Sequence, residues 1–157
     1  MAVVPPFSRS RATFLVAPAI LLAVWLAPLA HAQLLADVMM STAIAAQFDP
    51  GLRLPSGTLR AVGSGTEGII ARVPDRDHWT DWEVYDARGL AAKLQGAYVH
   101  QIETAFAVAG YFESGRTQAE VGPETRTHIV FEGDNGERLL YVITTSQEVV
   151  WLTARSH

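Results

Sequence analysis

The apolar positions of this 157-residue chain change rhythm along its length. Leu35, Val38, Met39, Thr42, Ala45 and Ala46 recur at helical spacing, and Asp49-Pro50-Gly51 ends the run. That spacing predicts a helix over Leu34–Gln47, inside an N-terminal segment 33–48; the alternative is an irregular start. A turn-rich stretch follows, punctuated by Pro55-Ser56-Gly57 and Gly63-Ser64-Gly65. The flanking segments Thr58–Val62 and Gly68–Val73 suit a β-hairpin. Leu90, Leu94, Ala97, Tyr98, Ile102, Ala105, Phe106 and Ala109 then form one stripe. They predict a long amphipathic helix over 90–109, with Asp86 placed as N-cap, Gly110 as C-cap, and Gly96 permitting a close crossing.

Residues 125–155 carry the β rhythm. Three strands are joined by two short turns, the first at Asn135-Gly136, a pair that suits the positive φ angles of a type I′ turn. With those two residues as the loop, Phe131 faces Leu140 and Ile129 faces Val142. A loop at Ser146-Gln147 sets Val142 opposite Trp151. One face then holds Ile129, Phe131, Leu140, Val142, Val149 and Trp151, enough to cover the helix. The other is mixed: Arg126, His128, Val130 and Glu132, then Leu139, Tyr141 and Ile143, then Val150 and Leu152. It is either a second buried face or a docking surface. The expected fold is thus a single α+β domain over 33–157, one long amphipathic helix packed on a C-terminal antiparallel meander. In element order alone this resembles cystatin-like and NTF2-like architectures, which serve inhibitors, binding modules and enzymes alike.

Residues 1–32 change the picture of where the chain works. Arg9 and Arg11 precede an uncharged run, Ala12 to Ala30, that ends in Ala30-His31-Ala32. This is the layout of a cleaved secretory signal, making Gln33 the mature N-terminus. Pro18 and Pro28 interrupt the run and argue against a retained membrane span. Ser10 separates the two arginines, so there is no twin-arginine pair. The mature chain is expected in the periplasm or outside the cell, without stable membrane insertion. It has no cysteine, and so no disulfide to support it in an oxidising compartment.

Charge narrows the partners. The chain holds 12 basic and 16 acidic residues; losing Arg9 and Arg11 with the leader leaves 10 against 16, a net charge of −6. Nucleic acid and anionic lipid are poor partners for such a surface.

The densest chemistry is "DRDHWTDWEVYD", Asp75 to Asp86. As a helix it stacks Trp79, Trp82 and Tyr85 along one side, with Thr80 and Glu83 at capping-box spacing. As a strand it puts Trp82 and Val84 on one face, Glu83 and Tyr85 on the other. Asp75, Asp77, His78, Trp79, Asp81, Trp82 and Tyr85 form one candidate binding surface, with tryptophans for stacking and carboxylates for accepting hydrogen bonds. Arg126, His128 and Tyr141 form a second, on the mixed sheet face. Other signals fail their context tests. The run "GSGTEG" matches G-x-G-x-x-G but opens no helix. The acids at 75–81 miss the calcium-loop spacing, and His100 with Glu103 has no partner pair. Ser64 sits in no nucleophile elbow. No catalytic residue, metal ligand or cofactor is assigned.

The expected function is an exported, non-enzymatic module that binds an envelope or extracellular protein or glycan. One alternative is an assembly factor using an exposed sheet edge, taken as Val149–Arg155. The other is a small enzyme with a cone-shaped pocket around His128. N-terminal sequencing of protein recovered from the envelope or medium should begin at Gln33; an intact Met1 chain held in the membrane fraction is the contrary result.

Overall fold

The computed structural model describes residues 38–157; the expected leader and the start of the expected N-terminal helix lie outside them. The fold is a single seven-stranded antiparallel sheet. Strands β1 (Met39–Thr42), β2 (Leu59–Val62) and β3 (Trp79–Asp86) come first. A short helix α1 (Glu67–Ile70) lies between β2 and β3, and helix α2 (Ala92–Val108) follows β3. Strands β4 (Phe112–Val121), β5 (Glu124–Gly133), β6 (Gly136–Thr144) and β7 (Val149–Ser156) complete the chain. In space the order is β1-β2-β3-β7-β6-β5-β4, so the last strand inserts beside β3 at the centre.

Burial explains the layering. From Arg138 to Ile143 and from Val149 to Ala154 every residue is buried, and only a strand covered on both faces can bury consecutive residues. One face carries Tyr85, Ile129, Phe131, Leu140, Val142, Val149 and Trp151, with Tyr98, Ile102 and Phe106 of α2 above them. The other carries Trp79, Val84, Leu139, Tyr141, Ile143, Val150, Leu152 and Ala154, covered by Ile69 and Val73. The mixed face is therefore largely a second core, closed by residues 63–79.

This arrangement corrects the expected α+β frame. The sheet is the organising element, not a three-stranded meander beneath a long amphipathic helix. α2 buries only one line, Gln95, Tyr98, Ile102 and Phe106, with Val99 and Ala105 half-buried beside it, while Leu94 of the expected stripe is 48% exposed. Its length suits its path. The chain must travel from β3 to β4, four strand spacings or about 19 Å apart, and 17 residues of helix span about 26 Å. The N-cap is Ala91, since Asp86 ends β3 as a buried residue. The end is a Schellman motif: Tyr111 N–H donates to Phe106 O and Gly110 N–H to Ala107 O. Gly110 takes φ 90°, and the Phe106 and Tyr111 rings meet edge to face.

Three local expectations are also revised. Met39–Thr42 is a strand paired with β2, not helix. Of the expected stripe only Ala46 is buried among the described residues, beside Leu52, while Met39 is 74% exposed. Gly68–Val73 forms α1 and a turn, so β2 pairs with β1 and β3 rather than with that segment. The β5–β6 loop is Asp134-Asn135, one residue earlier than expected, with only Gly136 at positive φ. Ile129 therefore faces Leu140 and Phe131 faces Arg138. Because the slip moves each pairing by two residues, every side chain keeps its face. Val142 does stand opposite Trp151.

Buried polar groups fasten the 43–58 segment over the first core. Glu83 accepts the backbone N–H groups of Gln47 (2.6 Å) and Phe48 (3.1 Å) and the Tyr85 hydroxyl, with Arg60 at 3.6 Å. Tyr111 donates to Asp49 (2.7 Å), and Arg138, a buried cation of β6, pairs with the same carboxylate at 3.3 Å. Tyr98 links Thr58 (2.7 Å) to the indole N–H of Trp151 (3.3 Å).

Two glycines separate backbone freedom from packing. A Cβ at Gly96 meets nothing within 4 Å, which removes the expected close crossing. A Cβ at Gly133 falls 2.6 Å from the Tyr111 ring. By chemical denaturation, Gly96→Ala should stabilise by about 0.5–1 kcal/mol, and Gly133→Ala should destabilise by about 1–3 kcal/mol. Equal effects would contradict the placement of α2 and Tyr111.

Candidate functional site

The stretch Asp75–Asp86 folds as a 3-10 turn, Arg76–His78, running into β3. The helical reading with its Thr80–Glu83 capping box is thereby excluded. Between Thr80 and Glu83 the strand carries a bulge, where Asp81 takes φ 52°. One extra residue reverses the alternation of faces, so Trp79 joins Trp82 and Val84 on the second face while Glu83 and Tyr85 turn to the first. Asp81 is held by Arg155 of β7, whose Nε lies 2.8 Å from Oδ2.

The candidate residues consequently part company. Tyr85 is fully buried on the helix side, stacked on Trp151 at 4.3 Å, its hydroxyl pKa pushed far up by burial and by the Glu83 carboxylate. Trp79 is 5% exposed, which withdraws it as a platform for sugar rings. Trp82 is half-buried and lines an open hollow of about 370 Å³ with Ile70, Arg76, Asp77 and His157. Asp75 and His78, by contrast, meet the second candidate group.

That meeting place is a groove on the second face. The covering segment 63–79 lies over β3, β7 and β6 but stops at β5, and β4 beyond it is exposed almost throughout. The step between cover and open strands leaves two hollows that share His128. One, about 490 Å³, is lined by Asp75, His78, Trp79, His128, Val130 and Glu137. The other, about 240 Å³, lies between Arg72 and Pro74 of the cover and the β4 residues Thr117, Ala119 and Val121, with Arg126 and Tyr141 at its base.

Ion pairs and hydrogen bonds shape the rim. Glu124 holds Arg72 of the cover (2.8 Å) and Arg126 of its own strand (2.7 Å), and the two arginines keep its carboxyl below the usual range against the opposing effect of burial. Tyr141 donates to the Arg72 carbonyl at 3.1 Å, which ties the cover to β6. His78 and Glu137 close the opposite end at 3.2 Å, with the imidazole edge-on to Trp79 at 5.0 Å. Asp75 lines the same hollow in a left-handed conformation, φ 52°.

His128 is the group without such satisfaction. Its Nε2 is buried and has no hydrogen-bond partner among the described residues. Burial pushes the imidazole below its ordinary pKa, while the Asp75 carboxylate opposes that shift. The result is a neutral ring at neutral pH, able to donate or accept one hydrogen bond according to tautomer. Among the described residues no cluster of three or more His, Cys, Asp or Glu is placed to hold a metal ion, and no helix is long and apolar enough to cross a membrane. Comparison with protein families, curated proteins and solved structures finds no match to this chain.

Sequence reasoning named Asp75, His78, Trp79, Arg126, His128 and Tyr141, all of which line the two hollows. It missed Arg72, Glu124, Val130 and Glu137. Arg72 had been given to a hairpin strand, and the others carried no signal beyond ordinary strand alternation.

The His128 shift has a measurable consequence. With its folded pKa below the value of about 6.5 expected in the unfolded chain, its contribution to stability is complete above pH 6.5. It is lost as pH falls from there through the folded pKa, because the unfolded chain then binds the proton more tightly. Unfolding free energies measured from pH 7.5 to 5 should fall less for His128→Gln than for the parent. Parallel pH profiles would contradict the burial of this ring.

Proposed function

We propose that the chain is an exported binding module, working in the periplasm or outside the cell, whose ligand occupies the groove around His128. One observation carries the reading: a buried imidazole nitrogen without a partner lies where two hollows meet. An unmet buried polar group costs about 1–3 kcal/mol, and a ligand supplying the missing hydrogen bond recovers it. The hollows, about 490 and 240 Å³, fall in the range of ligand sites, roughly 300–1,000 Å³ together.

The rim chemistry favours a protein segment over a glycan. Trp79 is too buried to stack a sugar ring. Val130, Ala119 and Val121 give apolar footing, while Asp75, Glu137 and Arg126 flank them with both charge signs. An extended peptide presenting alternate apolar and polar side chains matches that lining. Binding is favoured over catalysis because a general base needs both a nucleophile and an orienting group in reach, and the Nε2 of His128 has no hydrogen-bond partner among the described residues.

The test is parallel capture from envelope extract by the parent and by His128→Ala, both checked for equal thermal stability. His128→Ala should lose a protein that the parent retains, with at least about a tenfold drop in affinity if one buried hydrogen bond is removed. Retention by both would contradict the groove, and a Trp82→Ala variant that alone loses the protein would move the site to the neighbouring hollow.

A further inference from the structure

The edge expected to be free, Val149–Arg155, is paired on both sides, by β3 and by β6. The long open edge of the described sheet is β4, ten residues that pair only with β5. We propose that β4 pairs antiparallel with β4 of a second copy of this chain, with Gln118 opposite Gln118, to make a two-fold symmetric dimer with one continuous sheet.

The register follows from backbone geometry. The β4–β5 hairpin closes on the pair Val121–Glu124 around Gly122-Pro123, with Gly122 at φ 61°. A two-residue loop with glycine first closes on a hydrogen-bonded pair, and such pairs then recur at every second residue. Val121, Ala119 and Thr117 therefore spend their N–H and C=O groups on β5. Those of Glu120, Gln118 and Arg116 point outward, unpaired within the sheet. A bulge between Glu113 and Gly115 ends the flat stretch on the other side. Only these outward residues can open a ladder to another strand.

Charge then selects among the registers they allow. Centring the two-fold on Arg116 sets that arginine against its own copy, and centring on Glu120 sets two carboxylates together. Centring on Gln118 places Arg116 opposite Glu120 of the second copy, twice by symmetry. Their side chains lie on the helix side of the sheet, where Arg116 is already braced by Glu103 (3.0 Å) and Glu113 (2.7 Å). Among the described residues Glu120 accepts the Thr125 hydroxyl at 2.9 Å and pairs with no cation, so it stands ready for one. On the other side Val121, 43% exposed, comes over Gly115 of the second copy, which has no side chain to obstruct it. Both partners' edges are thereby used, so the assembly closes as a pair. If the groove reading holds, the same pairing sets two His128 residues three strand spacings across and two residues along, ~16 Å apart, on a shared floor.

The cysteine-free sequence makes the register directly testable. Opposed Cα atoms of a hydrogen-bonded antiparallel pair lie about 5.5 Å apart, inside disulfide range. Purified Gln118→Cys should therefore form a covalent dimer under mild oxidation, while Val121→Cys should remain largely monomeric. Sedimentation equilibrium of the unaltered chain should show a monomer–dimer equilibrium. Arg116→Glu should raise its Kd by about tenfold, since the repulsion is felt at both symmetric pairs, and adding Glu120→Arg should restore it. A chain monomeric at every concentration, or equal cross-linking at 118 and 121, would overturn the proposal. These readouts do not depend on what the groove binds.

Discussion

Everything in this structure depends on covering one sheet on both faces without a disulfide. β6 and β7 bury every residue from Arg138 to Ile143 and from Val149 to Ala154, so neither can face water on either side. The chain meets that demand with two unlike covers. On one side is a 17-residue helix whose contact line is narrow, assisted by the 43–58 segment. On the other is a compact run of short helices and turns that ends in Trp79. Glu83 and Asp81, neighbours of the same bulge, secure the two sides. Glu83 accepts two backbone N–H groups of the 43–58 segment together with the Tyr85 hydroxyl, with Arg60 of β2 beside it, and Asp81 locks β3 to Arg155 of β7. The buried Glu83 carboxylate is tolerable here because it has several donors in reach, as a buried charge requires.

The candidate site is a consequence of where the second cover stops. It spans three strands, and the sheet continues for two more. The step exposes the flank of β5, and His128 falls on that flank with part of its ring under the cover. Arg72, bonded to Glu124 and accepting Tyr141 at its carbonyl, fixes the position of the step. The groove is thus built on paired strands and a tethered segment, the kind of support that holds a binding geometry without reorganisation.

How much of this was legible in the sequence differs by element. The "RLLYVIT" and "VVWLTA" runs reported two-sided burial, because continuous apolar strands occur where both faces are covered. The faces of β5, β6 and β7 were readable from alternation, and the one-residue misplacement of the Asn135-Gly136 loop left them intact. The pairing of β3 with β7 was not readable, since it joins residues such as Val84 and Leu152 far apart in sequence with no local signature. For the same reason the sheet was underestimated and the helix given too large a part. Met39–Thr42 misled because Ala45 and Ala46 beyond it happen to complete a helical period, although only Ala46 is buried. Trp79 misled because its phase on the strand is set by a bulge, and nothing in "HWTDWE" announces that Asp81 takes a left-handed conformation. The groove residues His128 and Tyr141 stood out only as polar or aromatic interruptions of an otherwise apolar face.

The most direct test of the two-sided sheet is native-state hydrogen exchange read residue by residue. Amides in the core of β7, from Val150 to Thr153, should exchange only through global unfolding, as slowly as any in the chain. Fast exchange there, at the rate of an open edge strand, would contradict the central place of β7 and the architecture built around it.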